Sequence, residues 1–176
     1  MQVDCLVVTH VFYHGATPVG NYEYYHSISQ EVDLPIIIYN VIPTNQITPK
    51  AMLKLSEIEK VVGIKQVDIN TLPEMVSFCG DRINIYSVYN NMLYSTYVSG
   101  ACGELLQFNY CSKSMCKTEK RAFENGDQKA AMEINKKIFY INKAYNLKPF
   151  LGKTKDILNE LEKKEGKCRN PTFRTG

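Results

Sequence analysis

The sequence has no tryptophan, only three histidines, and a net charge of +3 spread over 176 residues. A balance so close to neutral offers no electrostatic footprint for a nucleic acid, and none is expected as a partner. No stretch approaches the roughly 18 apolar residues that a membrane-crossing helix requires. The longest apolar run, Leu34 to Tyr39, has the length of a strand. The N-terminus opens Met-Gln-Val-Asp without a basic region ahead of its apolar residues, so no secretory signal is expected. Neither a Gly-x-Gly-x-x-Gly nor a Gly-x-x-x-x-Gly-Lys-Ser/Thr loop occurs, which removes the usual phosphate cradles. The six cysteines form no Cys-x-x-Cys, and the one close pair, Cys111 and Cys116, has no histidine or second pair at zinc spacing. Cys5 and Cys102 lie in apolar segments, where a thiol serves as a small hydrophobe. The cysteine usage predicts a reduced, cytoplasmic protein.

What is present is ordinary globular material, 44% hydrophobic and 22% charged, with 12 tyrosines and 7 phenylalanines available for a core or a lined pocket. The charge is unevenly placed. Residues 1–110 hold five Lys/Arg against ten Asp/Glu, whereas residues 111–176 hold sixteen against eight. A Lys-rich solvent face on helices accounts for that split without a special partner.

The apolar pattern alternates between strand and helix. Val3 to Thr9, Leu34 to Asn40, Val61 to Lys65, Arg82 to Ser87 and Gly103 to Phe108 predict five strands, rich in β-branched residues or apolar at consecutive positions. Between the first two lies a glycine-bearing loop, His14 to Gly20, and then a helical spacing of Tyr22, Tyr25, Ile28 and Val32. Thr48-Pro49 predicts an N-cap and first helical residue, Thr71-Leu-Pro-Glu74 a capping box, and a further helix runs from about Asn90 to Gly100. Strands spaced this way, each followed by one helix, predict parallel βα units. Beyond Tyr110 the pattern is helical only. Segments around Met115–Phe123, Ala130–Ile141 and Ile157–Leu161 are separated by breaks at Asn125-Gly126 and Lys148-Pro149.

In parallel βα folds ligands bind at the carboxyl ends of the strands, so residues there are the first candidates for chemistry. Lys65 ends a strand whose other members, Val61, Val62 and Ile64, belong in a core. A lysine in that position can lose proton affinity by desolvation and attack a carbonyl carbon. The bland alternative is a buried stem whose ammonium reaches water or pairs with Asp68. Tyr39 ends the preceding strand, about 4.8 Å away, and a phenol there could pass a proton to a carbinolamine. Tyr13 follows the first strand. Ser87 and Tyr89 at the end of the fourth strand, and Gln107 in the fifth, are candidate substrate-lining residues. His10 and His14 bracket Val11-Phe12-Tyr13 without a third ligand nearby, so they are expected to be loop or lining histidines rather than a metal pair.

Leu34-Pro-Ile-Ile-Ile-Tyr-Asn-Val41 followed by Val61-Val-Gly-Ile-Lys-Gln66 resembles the class I pyruvate aldolase and lyase family, which includes dihydrodipicolinate synthase, N-acetylneuraminate lyase and the keto-deoxy-sugar-acid aldolases. The resemblance runs from about Val3 to about Pro149 and implies a TIM barrel with a C-terminal helical extension. In that likeness Lys65 is the Schiff-base lysine, Tyr39 the assisting phenol, and Tyr13 the family's second tyrosine, which in the synthase branch acts across a subunit contact. The implied substrate is pyruvate or a 2-keto-3-deoxy acid, with carbon–carbon cleavage or formation through a protonated imine and no cofactor. Two positions depart from the synthase branch: Ile42-Pro-Thr-Asn-Gln46 lacks its arginine in a shorter loop, and Val88 replaces its glycine.

Matched this way, the five strands correspond to strands four through eight, so the expected fold is an α/β partial TIM barrel without the family's Gly-Thr-Thr loop. The expected organisation is 1–112 partial barrel, 113–162 C-terminal helices and 163–176 basic tail, in a homo-oligomer or with a partner that completes the barrel. The rival to an aldolase is a catalytically inactive barrel fragment acting as a binding or assembly module. A flavodoxin-like domain would match the strand count but lacks a phosphate loop and leaves Lys65 without a role.

Overall fold

The β-branched runs form strands where the chain leads them under a layer of helices. A computed structural model describes residues 3–105, 113–145, 150–160, 166, 168 and 169. Five strands are present: β1 (Leu6–Thr9), β2 (Ile36–Asn40), β3 (Val61–Gln66), β4 (Asn84–Ser87) and β5 (Gly103–Glu104). All pair in parallel in the order β1-β2-β3-β4-β5, so β1 and β5 are open edges among the described residues. Between them run α1 (Pro18–Glu31), α2 (Pro49–Leu55), α3 (Leu72–Cys79) and α4 (Leu93–Val98). Sequential parallel strands with one helical crossover each are the wound βα pattern expected for part of a TIM barrel. The described residues divide into two compact units, one within Met1–Tyr89 and Ser95–Leu105, the other within Asn90–Tyr94 and Leu106–Gly176.

In the first unit the sheet has two unlike faces. Ile36, Ile38, Ile64 and Ile85 point to the helices and pack with Tyr25, Met52, Leu55, Leu72 and Met75, all of them fully buried or nearly so. The opposite, inner face carries residues one position out of phase, as the period of two in a strand requires. Its rows are set by register: Thr9, Tyr39, Lys65 and Tyr86 lie side by side, and Val7, Ile37, Gly63 and Asn84 form the next row toward the strand starts. Gly63 is the small residue that permits this packing. A methyl group there would lie 2.8 Å from the Asn84 carbonyl oxygen and 3.4 Å from the Tyr86 ring.

Local signals acted much as their chemistry dictates, with two differences. Thr48 caps α2, its Oγ1 accepting from the Ala51 amide at 3.2 Å. Helix α1 begins at Pro18, inside the expected loop, because Thr17-Pro18 repeats the same device, with Thr17 Oγ1 accepting from the Gly20 amide at 3.1 Å. The capping box at Thr71 does not form. Asp68 instead caps a 3-10 turn over Ile69–Thr71, its Oδ1 accepting from the Asn70 amide at 3.0 Å. The Thr71 hydroxyl is thereby turned back to donate to the Asp68 carbonyl at 3.1 Å. The expected fourth helix opens with a 3-10 turn over Asn90–Met92, and Gly100 at φ +83 follows its end.

The second unit is helical: α5 (Lys113–Glu124), α6 (Gln128–Tyr145) and α7 (Phe150–Glu160). Gly126 at φ +78 ends the first of these, and Asp127 caps the next by accepting from the Ala130 amide at 3.0 Å. The break expected at Lys148-Pro149 lies outside the described residues. Among the described residues no helix is long and apolar enough to cross a membrane.

One carboxyl lies in this helical core. Glu119 is fully buried, and its Oε1 accepts from Asn135 Nδ2 at 3.0 Å. Burial pushes its pKa from 4.5 up to about 7, against the opposing effect of that hydrogen bond. The folded chain therefore holds a proton that the unfolded chain releases, and stability contributed at acid pH is lost as pH rises between 4.5 and 7. Glu119→Gln is expected to remove this loss, gaining about 3 kcal/mol over the native chain at pH 8 and little at pH 4.5. Urea unfolding of both proteins at the two pH values checks this; an equal difference at both contradicts it.

Candidate functional site

The Tyr-Asn and Lys-Gln pairs that end β2 and β3 divide their work between the two faces of the sheet. Tyr39 is the register partner of Lys65, and Asn40 that of Gln66. Asn40 and Gln66 face the helices and are both buried. Asn40 Nδ2 donates to Gln66 Oε1 at 2.7 Å and to the Ile47 carbonyl at 2.9 Å, while its Oδ1 accepts from the Ile47 amide at 2.9 Å. Gln66 Nε2 continues the chain to Thr71 Oγ1 at 2.7 Å. The loop after β2, the end of β3 and the turn leading to α3 are thus tied together by side-chain amides. That network fixes the strand ends on which the inner-face residues stand.

On the inner face the Lys65 ammonium lies over the Tyr39 ring, 3.9 Å from its centroid. Lys65 is 8% exposed. Among the described residues it forms no ion pair with a carboxylate. Asp68, its expected structural partner, spends Oδ1 on the amide and the side chain of Asn70, at 3.0 and 3.1 Å. Among the described residues the Tyr39 ring is the partner of this ammonium, a contact weaker than a buried ion pair would be. The same arrangement leaves the nitrogen lone pair, once a proton is lost, without a competing carboxylate.

The other expected residues separate. Tyr13 is 84% exposed and makes an edge contact with His14, so it stands apart from the Lys65–Tyr39 contact. Ser87 is fully buried on the helix side, where its Oγ shares a hydrogen bond of 2.8 Å with Thr96 Oγ1. Tyr89 lies beyond the end of β4 and is 39% exposed. Gln107 lies outside the described residues. His10 is buried, with Nδ1 3.5 Å from the Tyr25 hydroxyl, and burial lowers its pKa. Among the described residues no cluster of three or more His, Cys, Asp or Glu could hold a metal ion.

The residue that the sequence reading passes over is Tyr86. It is the register partner of Lys65 on β4 and stands on the inner face, with burial raising the pKa of its phenol. The signal was present in the period of two: Ile83, Ile85 and Ser87 share the helix-facing side, which assigns Tyr86 to the other.

This geometry can be set beside that of known proteins. A "4-hydroxy-tetrahydrodipicolinate synthase" of Acetivibrio thermocellus is 27% identical over 173 residues, covering 96% of this chain and 58% of its own. The crystal structure of dihydrodipicolinate synthase from Aquifex aeolicus superimposes with a TM-score of 0.88 at 27% identity, over 98% of this chain and 61% of that one. A dihydrodipicolinate synthase of Acinetobacter baumannii, solved as a complex with pyruvate, shares the fold with a TM-score of 0.87 at 21% identity, over 98% of this chain and 61% of that one. The chain therefore spans about three fifths of the length of these relatives. The sequence model described as the dihydrodipicolinate synthetase family matches residues 2–175. With both the sequence and the wound βα sheet in agreement, the chain belongs to the dihydrodipicolinate synthetase family.

Proposed function

We propose that this chain carries the Schiff-base site of an aldolase or lyase that acts on pyruvate or a related 2-keto acid. The observation that carries the reading is the buried Lys65 ammonium, 8% exposed and seated on the Tyr39 ring, with no carboxylate partner among the described residues. The pyruvate bound to the Acinetobacter baumannii relative supports the choice of substrate class.

Lys65 first gives a proton to water, and its Nζ attacks the ketone carbon. The carbonyl oxygen takes up a proton, for which the phenol of Tyr39, on the rim of the ring beneath Nζ, is the nearest donor identified. The attacking nitrogen, still carrying two hydrogens, returns one of them to the Tyr39 phenolate, which leaves a neutral carbinolamine. The hydroxyl then takes a second proton from the same phenol and leaves as water, the nitrogen lone pair forms the protonated imine on Lys65, and the phenolate recovers from water the proton that Lys65 released at the start. That imine accepts the electron pair of the breaking carbon–carbon bond, or supplies the enamine that forms one. Ser87, turned toward Thr96, has no part in this scheme. Tyr13 enters it only through a contact between copies, a role supported by the exposure of Phe12 and Tyr13, 71% and 84%, on the loop after β1.

The direct test is incubation with pyruvate, reduction with borohydride, and location of the adduct by peptide mass spectrometry. An adduct on Lys65 is expected. A folded sample that yields none overturns the proposal and favours the inactive binding module.

A further inference from the structure

We propose that Tyr86 is a positioning residue for Lys65, a flat wall that closes the inner face beside the lysine and confines its side chain to the Tyr39 ring. The inference rests on the Schiff-base reading for its catalytic meaning, though the placement itself does not.

Two observations converge on it. First, the inner face is open at its margins, where Thr9, Asn84 and Val7 are exposed, and closed in the middle, where Ile37, Gly63 and Lys65 are buried. The side chains that flank Lys65 in register are Tyr39 on β2 and Tyr86 on β4, one on each side of it. Second, the Tyr86 ring leans across β3 toward Gly63, where its Cε2 comes within 3.4 Å of the place a methyl would occupy. Gly63 precedes Lys65 on the same face of the same strand, so the ring fills the floor on the strand-start side of the lysine stem.

With the strand-start side filled by one ring and the β2 side occupied by another, the ammonium is directed along a single path. That is the orientation a nucleophile needs, and misplacement by about 1 Å is enough to cost on the order of a hundredfold in rate.

Trace acylation by acetic anhydride, read lysine by lysine by mass spectrometry, tests the placement without any substrate. Exposed Lys50 serves as the internal standard. Lys60, in the same unit but held by the carbonyls of Ser29 and Val32, reports general loosening. In Tyr86→Ala the labelling of Lys65 is expected to rise several-fold against Lys50 while that of Lys60 stays constant. Tyr86→Phe should restore the native value, since the ring and not the hydroxyl is the wall. Tyr86→Leu, which keeps apolar volume but not the flat ring, should also raise it, and serves if the alanine variant fails to fold. An unchanged Lys65 ratio, or a parallel rise at Lys60, overturns the proposal. Pyruvate trapping on Lys65 is expected to fall about a hundredfold in the alanine variant. If the native protein forms no adduct while the labelling responds as described, the Schiff-base reading falls and the placement stands.

Discussion

Replacing Lys65 with methionine is expected to abolish the borohydride-trapped pyruvate adduct while making the folded chain more stable. The two effects have one cause. Methionine keeps the unbranched apolar stem on the inner face and removes the charge of a residue that is 8% exposed and has no described carboxylate partner. The aromatic contact with Tyr39 offsets part of the desolvation, about 2 kcal/mol at most. Exchange of such a charge for a hydrophobe of similar volume is expected to raise stability by about 1 kcal/mol. With no amine at position 65 there is no imine for borohydride to trap, so the adduct at this position is lost entirely. Lys65→Arg is the companion variant, since it keeps the charge but offers no usable nucleophile at neutral pH. If Lys65 serves only the architecture, the methionine variant is less stable than the native chain in urea and no adduct appears in either. Opposite signs for stability and activity separate the two readings in one pair of measurements.

Much of this site was legible in the sequence because strand periodicity and strand ends carry their own geometry. Leu34–Asn40 and Val61–Lys65 are apolar runs that could only be strands, and two polar residues at the ends of adjacent parallel strands must meet if the register aligns them. It does, with Tyr39 opposite Lys65. The assignment of faces in the shorter strands was carried by the period of two, but residue type pointed the other way. In β4, Ser87 was the more chemical candidate by residue type, yet the period of two set it with Ile83 and Ile85 against the helices. Tyr86 took the inner position because Gly63 on the neighbouring strand leaves room for its ring. That is a pairing between distant residues, and no local pattern announces it. Thr71 shows a different kind of competition. Its capping sequence was sound, but Asp68 three residues earlier capped a 3-10 turn first and drew the threonine into that turn. The motif also contains a division of labour: Asn40 and Gln66, next to Tyr39 and Lys65, form hydrogen bonds that make them the splint behind that pair.

Removal of one oxygen atom, by Tyr39→Phe, is expected to slow imine formation on Lys65 by about 10²- to 10³-fold with little change in the fold. The ring beneath Lys65 survives in this variant, so the 3.9 Å cation–π contact and the burial of the ammonium survive with it. Among the described residues no hydrogen bond to the Tyr39 hydroxyl is present, so its loss strands no buried partner, and urea stability should shift by less than about 0.5 kcal/mol. Tyr39→Leu removes the ring as well. It is expected to lose the proton donor and the seat of the ammonium together, lowering trapping further and freeing Lys65 to acylation as strongly as the loss of Tyr86 does. The ratio of the two variants then apportions the residue's contribution. A Phe variant that traps pyruvate at the native rate assigns Tyr39 to packing alone and leaves the proton to solvent water. A Phe variant that is slow while its Lys65 acylates normally places the hydroxyl in the proton transfer itself, because the lysine is then unchanged in position and exposure, and only the donor is missing.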